Sequence, residues 1–212
     1  MTGLRSYGDP CGIARALDAI GERWALLLVR ELLLGPKRFT DLRAALGASP
    51  NVLSQRLGEL EASGVVRKLT AGGAQYELTD WGRDLRPILL ELGRWGTRSE
   101  HRPVGELSVD ALMVALEATF DSGSAPDLRA TYELRIGDER FSVAIERGSI
   151  AVSRGAPPRP DAVIETDPAT LRAVVFGKTK LAGAAAEIRG DARLGREFFG
   201  LFLRSRGARS PK

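Results

Sequence analysis

Asn51, Ser54, Gln55 and Gly58 stand three and four residues apart, a spacing that places them on one face of a helix. Their chemistry is recognition. Asparagine and glutamine amides set a donor beside an acceptor, the pattern that pairs with an adenine edge, while serine bonds a base or a phosphate and glycine lets backbone approach a groove. On a helical wheel Leu53, Leu57 and Leu60 fall within about 60° of one another on the opposite side, so one side of this helix packs inward. Arg56 lies on the flank, better placed for a phosphate or an internal carboxylate than for a base. Glu59 and Glu61 near the C-terminal end limit groove entry to the first two turns. Catalytic combinations are missing: the chain has one histidine, His101, and one cysteine, Cys11. They cannot assemble a His/Cys-rich metal site, and no phosphate-binding Gly-Lys-Ser/Thr loop occurs. No catalytic residue, metal ligand or cofactor is expected, and the chain does not read as an enzyme.

The elements that must position this helix are legible around it. Ser49 is a cap and Pro50 a first helical residue, so they open it. Before it, Phe39 to Leu46 reads as a short helix with Thr40 as N-cap and Gly47 as its stop. The break Gly47, Ala48, Ser49 between two helices is helix-turn-helix spacing. Upstream, Ile13, Leu17 and Ile20 share one helical face, and a second helix from about Glu22 to Leu34 is apolar on most sides until Gly35 and Pro36 end it. Downstream, Val65 to Thr70 and Gln75 to Thr79 read as a two-stranded hairpin around Ala71-Gly72-Gly73-Ala74. A hairpin after a recognition-type helix makes a winged helix. Arg67 and Lys68 are placed to meet phosphates, and Gly72 and Gly73 permit close approach. With Arg38, Thr40, Ser49, Asn51, Ser54, Gln55 and Arg56 they form the candidate contacts to double-stranded DNA. Thr79 or Asp80 then caps a helix carrying Leu85, Ile88, Leu89, Leu92 and Trp95, a stripe too long for one small domain and therefore a dimer surface.

The 212 residues are 43% hydrophobic and 27% charged, and no apolar run nears the ~20 residues of a bilayer span. The first residues lack the basic-then-apolar order of an export signal, and one cysteine forms no intrachain disulfide, so a reducing cytoplasmic setting fits. Residues 1–102 carry 15 basic and 12 acidic side chains, and 103–212 carry 16 and 15. Neither half is strongly basic; a tail holding Arg204, Arg206, Arg209 and Lys212 accounts for the net charge of +4, and reads as solvated.

Pattern changes divide the chain into 1–97, a polar linker 98–106 that contains His101, a second unit 107–204 and the basic tail 205–212. The second unit starts with an amphipathic helix from Leu107 to Phe120, capped by Ser108, with Leu112, Leu116 and Phe120 at four-residue spacing. Three alternating strands follow around turns at Gly137-Asp138 and Arg147-Gly148, an antiparallel meander. A fourth strand (Asp161 to Thr166), a helix from Asp167-Pro168 through Val175 and a last helix near Leu194 to Leu203 complete an α+β fold.

Cys11-Gly-Ile13, Ile20-Gly-Glu-Arg23-Trp24, Arg38-Phe39-Thr-Asp-Leu42, Leu53-Ser-Gln-Arg-Leu57, Tyr76-Glu-Leu78-Thr79-Asp-Trp-Gly82 and Leu85-Arg-Pro-Ile-Leu89, in this order, resemble the HxlR family of bacterial winged-helix transcription regulators over about residues 7–97. The resemblance implies a homodimer built from the first and last helices, a fourth helix in the major groove and wings on the flanking minor grooves. The wing departs from the family pattern in lacking a proline-containing turn. Some members sense oxidants or electrophiles through an N-terminal cysteine, and Cys11 stands at the matching place. It reads either as that sensor, with Arg15 one turn along to lower its pKa, or as a small buried hydrophobe on the first helix.

Residues 107–204, with Asp161-Ala-Val-Ile-Glu-Thr-Asp-Pro168 and Ala186-Glu-Ile188-Arg-Gly190-Asp191, resemble the sterol-carrier-protein-like α+β fold. That resemblance implies an apolar cavity for a hydrophobic ligand. Phe120, Tyr132, Phe141, Phe176, Phe198, Phe199 and Phe202 either line it or fill an ordinary core. The functional reading is a dimeric DNA-binding regulator, with a repressor favoured. A lipid or acyl-chain carrier that uses the winged helix as a scaffold and a thiol switch at Cys11 are the alternatives.

Overall fold

The computed structural model describes residues 6–70, 73–99, 105–177, 179–182 and 184–203. Gly72, His101, the tail 205–212 and most of the 98–106 stretch lie outside them. The chain divides into two compact units, Met1–Leu89 and Leu90–Lys212.

In the first unit α1 (Gly12–Ile20) ends where the Gly21 N–H closes on the Leu17 carbonyl at 2.8 Å. The next helix begins later than the sequence pattern indicates. Trp24 adopts a left-handed φ of 81°, so α2 spans Ala25–Leu32 rather than starting at Glu22. A bulky residue in that region is strained, and the Arg23 guanidinium over its ring, 5.4 Å from the centroid, braces it. Leu28, Val29 and Leu32 of α2 are buried with Leu42, Leu53, Leu57, Leu60 and Leu78, the core of the unit.

The expected hairpin forms, strands β2 (Val66–Leu69) and β3 (Gln75–Leu78) pairing antiparallel with Val66 opposite Leu78, but a third strand joins it. This is β1 (Lys37–Arg38), which gives the order β1-β3-β2, with Lys37 opposite Tyr76. Two residues carry no alternation, so the pattern could not announce this strand. Its anchor is Glu31 of α2, fully buried, which accepts from Lys37 Nζ at 2.8 Å and from Arg30 at 2.9 Å.

The long helix expected from Thr79 to Trp95 is broken into α5 (Asp80–Arg83) and α6 (Leu85–Gly96). Pro87 explains it: proline has no N–H to give the Arg83 carbonyl, and its ring crowds that carbonyl. Thr79 is the cap, its hydroxyl accepting from the Gly82 N–H at 3.0 Å.

The second unit takes in the end of α6 from Leu90 and continues with α7 (Val109–Thr119), capped by Ser108. It is not amphipathic: Asp110, Ala111, Leu112, Met113, Val114, Leu116, Glu117, Ala118 and Thr119 are all buried, so neighbours cover it on most sides. Arg154 reaches the buried Asp110 carboxylate. The sheet is mixed rather than antiparallel. Strands β4 (Ala130–Ile136), β5 (Glu139–Glu146) and β6 (Ser149–Arg154) form the expected meander. However, β7 (Ala162–Thr166) enters parallel to β4, and β8 (Ala186–Gly190), absent from the sequence reading, pairs antiparallel with β7, in the order β6-β5-β4-β7-β8. The chain leaves β6 at one edge and returns beside β4, so strand direction follows from the crossover and not from any residue pattern.

Helix α8 (Pro168–Val175) is capped by Asp167, and α9 (Ala192–Phe198) by Asp191. The last helix stops at Phe198 instead of reaching Leu203. Beyond it the chain turns at Phe199 and Gly200 and then bridges Phe202 with Phe120, with the Leu203 N–H on the Thr119 carbonyl at 2.7 Å. Tyr132, Leu134 and Ile136 of β4 are buried with Phe141, Val143 and Ile145 of β5. The opposite face carries a charge ladder in which Glu133 accepts from Arg135 at 2.9 Å and Arg189 from β8 meets Glu187 at 2.9 Å. The Arg135 hydrogen bond holds the Glu133 carboxyl below its usual range.

Tyr132 is fully buried, and its hydroxyl has no hydrogen-bond partner among the described residues. Burial, with Glu197, Asp161 and Asp191 adding to it, pushes its pKa from 10 up to about 12. The folded state therefore prefers the protonated phenol; this contribution is complete below pH 10 and is lost as pH rises through about 12. Tyr132→Phe is expected to flatten that alkaline limb in denaturant titrations. At pH 7 it should keep or raise stability, by up to about 1 kcal/mol, because an unpaired hydroxyl is removed. A large loss at pH 7 would show that the hydroxyl is bonded in the folded protein.

Candidate nucleic-acid interface

Helix α3 (Phe39–Leu46) precedes α4 (Pro50–Ala62), and Gly47 turns the chain between them with φ 64°, a conformation glycine adopts without a Cβ penalty. Ala48 is buried, and the Ser49 hydroxyl accepts from the Val52 N–H at 3.5 Å. Arg38, not Thr40, is the N-cap of α3. Thr40 lies inside the first turn, where the Asp41 carboxylate reaches back to the Arg38 N–H at 3.1 Å. The Arg38 and Thr40 side chains are both exposed.

Leu53, Leu57 and Leu60 are at most 1% exposed, and Asn51, Ser54, Gln55 and Gly58 form the solvent side of α4. This face is small and polar, and the leucines behind it fix its direction. Two contacts lie on it or at its flank. The Gln55 amide Nε2 donates to Glu59 Oε1 at 3.0 Å, so it must turn away before it can meet a base. Arg56 is drawn inward, binding Glu59 and reaching Glu22 at 3.4 Å. An i,i+4 Gln–Glu spacing signals the first contact; nothing in sequence links Arg56 to Glu22.

In the wing, Arg67 is exposed and paired with Glu77 at 2.5 Å, and the exposed Lys68 ammonium lies 6.0 Å from the centroid of the Tyr76 ring. Gly73 has φ 109° and is exposed; Gly72 lies outside the described residues. Arg43, exposed three residues after Thr40 on α3, is a further cation on this unit that the sequence reading passed over.

Cys11 is neither buried nor inside a helix. It is exposed at the N-cap of α1, its N–H on Asp9 Oδ1 at 2.8 Å. Exposed apolar side chains gather on α1, with Ile13 and Leu17, and on α6, with Ile88, Leu92 and Trp95.

In the second unit Phe120, Tyr132, Phe141, Phe198, Phe199 and Phe202 are buried, and Phe176 is half-buried at the end of α8. Phe198 is the hub, with ring centroids 4.9 Å from Tyr132, 5.7 Å from Phe199 and 5.1 Å from Phe202, distances of direct packing. These rings fill space against one another. A surface concavity in this unit is lined by Gly137, Glu165 to Asp167 and Ala184 to Glu187, and so by none of the seven. Among the described residues no group of three or more His, Cys, Asp or Glu could hold a metal ion. No helix among them is long and apolar enough to cross a membrane.

The model of the HxlR-like helix-turn-helix family matches residues 19–103. The uncharacterized HTH-type transcriptional regulator YvaP of Bacillus subtilis is 44% identical over 88 residues, which are 39% of this chain and 82% of YvaP. The uncharacterized HTH-type transcriptional regulator Mb3122 of Mycobacterium bovis is 37% identical over 97 residues, 44% of this chain and 61% of Mb3122. Among solved structures, the redox regulator HypR in its oxidized form is 33% identical, with a TM-score of 0.40, over 44% of this chain and all of HypR.

Proposed function

This chain belongs to the HxlR family of helix-turn-helix transcriptional regulators, and from that membership we propose that it is a homodimeric, sequence-reading repressor acting in the cytoplasm. The observation that carries the reading is the exposed Asn51, Ser54, Gln55 and Gly58 face of α4 over its buried leucines. Residues 1–97 form the DNA-binding and dimerisation domain. Asn51 and Gln55 read base edges, Ser49, Ser54 and Thr40 bond bases or phosphates, and Arg38, Arg67 and Lys68 meet phosphates beside the wing glycines. Arg56 supports the helix from behind. Ile13 of α1 and the exposed Ile88, Leu92 and Trp95 of α6 supply the dimer contacts, which would set two half-sites at a fixed spacing.

The test is selection of bound duplexes from sheared genomic DNA at about 150 mM salt, where non-specific phosphate binding is much weakened. Enrichment of an inverted repeat is the expected result. Recovery of no preferred sequence from a well-folded dimer overturns the reading and moves the weight to a carrier function.

The second domain, 107–204, is read as sterol-carrier-like. The Gly190-Asp191 turn favours this: Gly190 has φ 80°, its missing Cβ would lie 2.6 Å from the Asp161 carbonyl, and the Asp191 N–H bonds that carbonyl at 2.9 Å. Because the rings pack on one another, its role is dimer support unless the core opens for a hydrophobic ligand. Solvent extraction of the purified chain and mass spectrometry decide this. A stoichiometric lipid establishes a ligand, and a clean extract leaves support.

Exposure of Cys11 favours one added control, by oxidation. As the sole cysteine it can form only a disulfide with a second chain or with a small thiol. Under diamide the expected result is altered DNA affinity in the parent and none in Cys11→Ser, with equal affinity of the two when reduced. An oxidant response that survives Cys11→Ser removes the thiol from the mechanism.

A further inference from the structure

A concavity of about 930 Å3 opens in the first unit between the segment at Ser6 and Tyr7, α1, and the outward side of α4. Leu17 and Ala19 give it an apolar wall above the buried Ala25 and Leu60, and Tyr7, 69% exposed, adds a ring at its edge. Its charges are unbalanced. Among the described residues Asp18, Glu22 and Glu59 contribute three carboxylates against the one guanidinium of Arg56, which is already shared between Glu59 and Glu22. Asp18 is held in place by donation from Ser6 Oγ at 2.9 Å and the Tyr7 N–H at 2.8 Å. Arg56 keeps its Nε–H buried, with no acceptor among the described residues.

Two surplus negative charges repel phosphate, so a free phosphate or phosphate ester is not its ligand. The hollow repels other anionic ligands for the same reason. A neutral apolar ligand would cover carboxylates without compensating them. A positive charge on an apolar body satisfies both parts of the lining: the cation sits among the carboxylates and over the Tyr7 ring, and the body covers the apolar side chains.

We propose that this concavity is a binding site for an apolar organic monocation, and that its occupancy displaces DNA. The coupling rests on the DNA reading above. Ser54, Gln55 and Gly58 line the hollow and also form the groove-facing side of α4, so ligand and duplex need the same space. By linkage, duplex must weaken the cation by the factor with which the cation weakens duplex.

Calorimetry on the full chain with tetraphenylphosphonium, and with tetraphenylborate of the same shape and opposite charge, tests the site without DNA. The expected result is saturable binding of one phosphonium per chain, with the borate at least about tenfold weaker. Asp18→Asn and Glu22→Gln should each weaken the phosphonium about three- to tenfold while lowering the melting temperature by no more than a few degrees, since the bonds each gives up lie at the surface. Equal binding of the two ions, or phosphonium binding unaltered in both variants, overturns the site. Phosphonium that binds but does not release the selected duplex overturns the coupling. A chain that binds the cation as expected and selects no DNA sequence keeps the site and loses the DNA reading.

Discussion

Duplexes that differ at one adenine of the operator are expected to bind alike once Asn51 and Gln55 are both alanine. Each bidentate amide–adenine contact contributes about 1–3 kcal/mol of discrimination, so the double change should erase preferences of roughly tenfold or more at two positions. The two contributions should differ. Asn51 stands exposed in the first turn of α4, whereas Gln55 must first give up its bond to Glu59, and that exchange places Gln55→Ala toward the lower end of the range. Lys68→Ala supplies the contrast. A phosphate contact carries no sequence information, so its loss should weaken every duplex by a similar factor and reduce the slope of log affinity against log salt by about one. Fluorescence anisotropy on the selected site and its single-base variants measures both. If the double variant ranks those duplexes as the parent does, α4 is not the reading element.

The largest expected loss of stability comes from a methyl group at Gly82. A Cβ there would lie 2.1 Å from the Val65 carbonyl oxygen and 3.3 Å from Leu78 Cβ. The first of these atoms is backbone, so no side-chain rotation relieves the overlap. The same carbonyl accepts from the Thr79 N–H at 3.0 Å, and Thr79 caps the helix that holds Gly82. Moving it would loosen the junction of β2 with α5. Gly82→Ala is therefore expected to cost about 3 kcal/mol, at or above the usual upper end for overpacking. For a unit of this size that lowers the melting temperature by roughly 12–24 °C. Gly58→Ala is the control, because nothing lies within 4 Å of its Cβ position, and alanine in an exposed helix should leave stability equal or slightly higher. A Gly82→Ala melting temperature within a few degrees of the parent would show that the β2–α5 junction is plastic.

Local rules in the sequence were sufficient where neighbouring residues decide the outcome. Ser49 and Pro50 start α4 and Gly47 ends α3 because capping and left-handed turns depend on a residue and its next few neighbours. The period of Leu53, Leu57 and Leu60 fixes which side of α4 is turned to solvent. The turns at Gly137 and Gly148 likewise set the meander of β4, β5 and β6.

Partners distant in sequence decided the rest. The two-residue β1 exists because β3 and the buried Glu31 receive it, and β7 runs parallel to β4 because of where the chain crosses the sheet. Helix α7 is buried on most sides, Phe202 bridges to Phe120, and Cys11 is exposed; no periodicity encodes these, since each depends on which surfaces come to lie against it. Charge followed the same division. Composition by itself determined that the chain carries a small positive excess. Only the tertiary structure decided that Arg56 turns inward to Glu22 and Glu59 while Asp18 joins those carboxylates beside α4. Helix and turn preferences act over a few residues and can be read along the chain, whereas burial and ion pairing act through space between residues that meet only after folding.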